Sequence, residues 1–106
     1  MKQMKWLALA VLLGSGLVQA TGVGMTNSWS DMDYNEAQCV QHAAAAIKAA
    51  GFGQNFEIVK TSIYGDQEEY TALVRCVPDA KVAFFVVAGP DSDVASHYLD
   101  QLTNGF

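Results

Sequence analysis

Apolar residues recur along this chain first at helical and then at strand intervals. After Asp33-Tyr34-Asn35-Glu36, Cys39, Val40, Ala43, Ala44 and Ile47 fall on one side at helical spacing. Asp33, with Glu36 three residues on, has the spacing of a capping box. Ala37, Ala43–Ala46, Ala49 and Ala50 add high helix propensity, so a helix is predicted to about Ala50. Gly51 fits the left-handed stop and Phe52 the apolar contact that follows it. The many small alanines suit a helix lying close against a sheet.

The pattern then changes. Phe56–Tyr64 is rich in β-branched and aromatic residues and predicts a strand, closed by the polar turn Gly65–Glu69. Tyr70–Val77 predicts a second strand, with a turn at Pro78–Lys81, and Val82–Ala88 a third. Gly89-Pro90 ends it. A second helix starts near Asp91 or Ser92, with Val94, Ala95, Tyr98, Leu99 and Leu102 as its apolar stripe. The predicted fold is therefore α+β in the order α-β-β-β-α. Short turns require a three-stranded antiparallel meander, and both helices are expected on one face.

The N-terminus has a different grammar. Met1–Lys5 is basic, Trp6–Leu13 is an unbroken apolar run, and small residues lead up to Ala20. That order is the layout of a secretory signal peptide over residues 1–20. An uncleaved anchor is the alternative, but the apolar stretch is interrupted by Gly14, Ser15, Gly16 and Gln19 and falls short of a bilayer span. No stable membrane anchor is expected after cleavage. Residues 21–32 read as a flexible leader containing Trp29, and residues 33–106 as one domain. Periplasm and extracellular medium fit the signal equally.

Export changes what the cysteines mean. Cys39 and Cys76 form an even pair without CxxC spacing, which in an oxidising compartment reads as one disulfide. That bond turns the Cys76 side of the middle strand, shared with Tyr70, Ala72 and Val74, toward the first helix. Removal of the signal also leaves four basic against eleven acidic side chains, a net charge of −7 compared with −5 for the whole chain. No basic footprint for nucleic acid remains.

The opposite sheet face raises the functional question. Val82–Ala88 does not alternate, as a strand with one wet side should. A two- or four-residue hairpin turn sets Phe84 and Val86 beside Arg75 and Leu73 on that second face. An odd-length loop sets Ala83, Phe85 and Val87 there instead. Three covers are open: the Trp29 leader, a second copy of the chain, and a ligand or partner whose carboxylate meets Arg75. The expected interaction residues are Leu73, Arg75, Phe84, Val86 and Trp29.

Catalytic chemistry finds no support in the pattern. His42 and His97 lack further ligands at zinc spacing. Asp31-Met32-Asp33-Tyr34-Asn35 imitates the start of a calcium loop, but Glu36 stands where the turn glycine belongs and His42 where the bidentate glutamate belongs. Glu68 and Glu69 are adjacent and point apart. No nucleophile elbow, phosphate loop or dinucleotide fingerprint is present. The expectation is a non-enzymatic module without a cofactor that self-associates or binds a protein partner; a small-ligand carrier is the alternative.

Overall fold

A computed structural model describes residues 23–106; the expected signal peptide lies outside the described residues. The elements run β1 (Gly24–Asp31), α1 (Glu36–Ala49), β2 (Gln54–Val59), β3 (Ser62–Gln67), β4 (Tyr70–Val77), a short 3-10 turn (Pro78–Ala80), β5 (Val82–Gly89) and α2 (Ser92–Gly105). The strands form one antiparallel sheet in the order β1-β5-β4-β3-β2. The fold is α+β, but with five strands rather than three.

Both additional strands have a physical origin that local pattern hides. Gly24–Asp31, read as leader, has little intrinsic strand preference. It becomes a strand by pairing along its whole length with β5, a tertiary gain that outweighs propensity. The segment Phe56–Tyr64, read as one strand, folds on itself at Lys60-Thr61, since Val59 pairs with Ser62. Lys60 takes the left-handed conformation (φ 57°) that a tight turn requires, without the glycine or asparagine that usually signals it. The polar turn expected over Gly65–Glu69 shrinks to Glu68-Glu69, and Gly65–Gln67 belong to β3.

The helices follow their patterns closely. In α1 the cap is Asn35 rather than Asp33. Its side chain accepts from the Gln38 N–H (2.8 Å), and the Gln38 side chain accepts from the Asn35 N–H (3.0 Å). Met32 is buried, and its N–H donates to the Lys81 carbonyl (2.9 Å), which keeps the chain beside the hairpin before it turns into the helix. At the other end Gly51 (φ 95°) donates to the Lys48 carbonyl and Phe52 to that of Ile47, a Schellman stop, with the Phe52 side chain fully buried. Asp91 caps α2 by accepting from the N–H groups of Asp93 and Val94.

α1 lies over β3 and β4, α2 over β1 and β5, and the two helices touch. Cys39, Ala43, Ala46 and Ile47 of α1 and Ala95, Leu99 and Leu102 of α2 bury against Ile63, Ala72, Val74, Ala83, Phe85 and Val87. The Cys39–Cys76 disulfide is present, with 6.1 Å between Cα atoms, and ties α1 to β4. Gly65 lets the backbone after α1 cross the sheet closely, because a Cβ there would collide with the Phe52 carbonyl oxygen. Among the described residues no helix is long and apolar enough to cross a membrane.

Candidate functional site

The candidate site is the sheet face turned away from the helices. Its register follows from the Pro78–Lys81 loop. Lys81 adopts φ 57° and donates to the Pro78 carbonyl (3.0 Å), so Val77 meets Val82 and four residues are spent in the turn. Phe84 therefore stands opposite Arg75, and Val86 opposite Leu73. Of the two registers that the hairpin allowed, this one leaves Ala83, Phe85 and Val87 buried under the helices.

On the other side of β5, Trp29 pairs with Phe84 and Asn27 with Val86. The expected interaction residues Leu73, Arg75, Phe84, Val86 and Trp29 thus share one face. Trp29 does not fold across the face as a cover; it extends it. One row crosses the whole sheet as Trp29–Phe84–Arg75–Ser62–Val59. At a strand spacing of about 4.8 Å it is roughly 19 Å long. The next row is Asn27–Val86–Leu73–Tyr64–Glu57. Trp29 is 60% exposed, Phe84 45%, Val59 46% and Met25 64%.

Arg75 is exposed in the middle of the first row, and its direct cross-strand neighbours, Phe84 and Ser62, are uncharged. The face carries its carboxylates elsewhere. Asp66 lies toward one corner, where its side chain accepts from Asn55 Nδ2 (2.9 Å) and Thr71 Oγ1 (2.7 Å). These two bonds, that from Asn55 foremost, hold the Asp66 carboxyl below its ordinary pKa against a small opposing effect of burial. Asn55 sits at φ 52° where the β2 register shifts, so the cluster fastens that irregular edge to β3 and β4. The sequence reading missed this cluster, and it missed Met25, Tyr64 and Val59 as parts of the face. Their alternation spans strands that the pattern did not resolve.

The remaining candidates have structural surroundings. His42 stacks on Tyr34 with 4.1 Å between ring centroids, and Phe106 meets both rings edge-on. His97 lies 3.2 Å from the side-chain nitrogen of Gln101 on the exposed side of α2. Among the described residues, no group of three or more His, Cys, Asp or Glu side chains comes together as a metal site. A hollow at one corner of the open face is lined by Val23, Glu69, Thr71, Ala88, Gly89 and Pro90, and Arg75 is not part of it. No family model matches the chain, and no curated protein sequence is significantly similar to it.

Proposed function

We propose that this protein is a non-enzymatic binding module, acting outside the cytoplasm, that engages a protein surface through the open face of its sheet. The observation that carries the reading is the row Trp29–Phe84–Arg75: two exposed aromatic side chains and a guanidinium on three adjacent strands. Aromatic residues and arginine are the types that dominate binding energy at protein interfaces. Arg75 supplies a polar contact within an apolar surface and favours a partner that presents a carboxylate.

The shape of the row favours a broad partner over a small ligand. A small-molecule site is concave and encloses most of its ligand. Here the aromatic side chains lie along a strand-to-strand row, and the hollow at the corner of the face does not reach Arg75.

The chain from Thr21 onward contains every described element and a single tryptophan, Trp29, which serves as its own reporter. Random peptides displayed on phage are selected on this chain and titrated by Trp29 fluorescence. Selected peptides should be apolar with an acidic residue. They should shift the Trp29 emission to the blue and bind about tenfold or more weakly to Phe84→Ser, a loss of about 1.4 kcal/mol. Peptides that bind without moving the emission, or that bind Phe84→Ser equally well, would overturn the reading.

A further inference from the structure

The two edges of the sheet are built differently. β2 is blunted: its register shifts between Gln54 and Glu57, Asn55 stands at a positive φ, and Lys60 sits at its tip. Such devices keep an edge from pairing with another chain. β1 has none of them. Its eight residues pair with β5 without a break, and it contains no proline, lysine or arginine.

The free backbone groups of β1 can be assigned. The Met32 N–H donates to the Lys81 carbonyl, one step beyond the Asp31–Val82 pair. In an antiparallel ladder hydrogen-bonded and non-hydrogen-bonded pairs alternate. Ser30, Ser28, Thr26 and Gly24 therefore direct their N–H and C=O groups to β5. Asp31, Trp29, Asn27 and Met25 direct theirs outward, and the side chains of these same four lie on the open face. Among the described residues their only other bond is from the Ser30 hydroxyl to the Asp31 carbonyl (3.1 Å).

We propose that β1 pairs antiparallel with β1 of a second copy of this chain, about a two-fold axis at Ser28, joining two sheets into one of ten strands. A second copy fits as the occupant: its own outward set, centred on Ser28, meets this one with no outward group left over. In that register Asn27 meets Trp29 of the other copy and Met25 meets Asp31 of the other copy. All four outward residues of each strand are used, and each pair exchanges two backbone hydrogen bonds. No acid faces its own copy, which matters in a chain this acidic. The two Trp29 rings become diagonal neighbours, within reach of one another across the seam. This association uses the edge rather than the open face, so it stands or fails independently of the binding function proposed above.

The test uses the chain from Thr21 onward. Light scattering coupled to size exclusion should give twice the chain mass, and Asn27→Pro, which removes one outward N–H, should give the single mass while keeping the wild-type circular dichroism spectrum. Register is read with added cysteines. Ser28 faces itself across the axis in a non-hydrogen-bonded pair, where Cα atoms stand about 4.5 Å apart, within disulfide range. Ser28→Cys should therefore cross-link on mild oxidation about tenfold faster than Ser30→Cys, whose opposite residue is Thr26. A single chain mass for the wild type at high concentration would overturn the proposal. So would a doubled mass that survives Asn27→Pro and is lost in Phe84→Ser, because association would then run through the open face. Equal cross-linking of the two cysteine variants would overturn the register.

Discussion

Asp66 shows how a single side chain can hold an irregular edge. Its carboxylate joins Asn55, at the β2 irregularity, to Thr71 on β4, and both bonds favour the ionised form. A carboxyl with a lowered pKa stabilises the fold fully above its ordinary value, and that contribution is lost as pH falls through the lowered one. Asp66→Asn should therefore lose less stability than the wild type when urea unfolding is followed from about pH 5 to about pH 2. The group is near the surface, so the difference is small; parallel pH profiles would show that the two bonds do not act on the charge. At the same scale the sequence was legible where a side chain acts on its immediate neighbours, as at Gly51 and Phe52. Asn55 and Asp66 are eleven residues apart, and only the β2–β3 hairpin brings them together.

At the scale of elements, the helices were readable and the strands were miscounted. A helix closes its hydrogen bonds locally, so apolar spacing and end signals suffice to locate it. The cap of α1 lies at Asn35 rather than Asp33: both residue types can cap, and Asn35 closes its box with Gln38. Asn35→Ala should cost about 1 kcal/mol in chemical denaturation, whereas Asp33→Ala should stay within about 0.5 kcal/mol. The reverse order would put the cap at Asp33. Strands close their bonds with distant partners. β1 is visible only once β5 is placed beside it, and the Lys60-Thr61 turn only once Ile58 meets Ile63.

For the molecule as a whole, the Cys39–Cys76 bond joins a helix to a central strand across 37 residues. Closing a loop of that length restricts the unfolded chain by roughly 3–4 kcal/mol, a large share of the roughly 5–15 kcal/mol that stabilises a typical domain. The double variant Cys39→Ala/Cys76→Ala should lower the free energy of unfolding by at least that range, since both sulfurs are also buried in the core. A loss below about 1 kcal/mol would mean that packing alone sets the position of α1 on the sheet. The same staple directs Ala72, Val74 and Cys76 under the helices and leaves Leu73 and Arg75 on the other side.

Taken by itself, the sequence determined the two helices, the Gly51 stop of the first, the central β4–β5 hairpin, the cysteine pairing and the side of β4 that the helices cover. Each of these depends on local spacing or on a covalent pair that periodicity places correctly. Only the tertiary structure decided the register, the number of strands and the role of Trp29. The register rested on a four-residue turn closed by a left-handed Lys81. Sequence alone makes Trp29 a leader residue that could fold across the open face; it is instead the outer end of the exposed row because its backbone pairs with the free edge of β5. A strand has no hydrogen-bonded identity until its neighbour is in place.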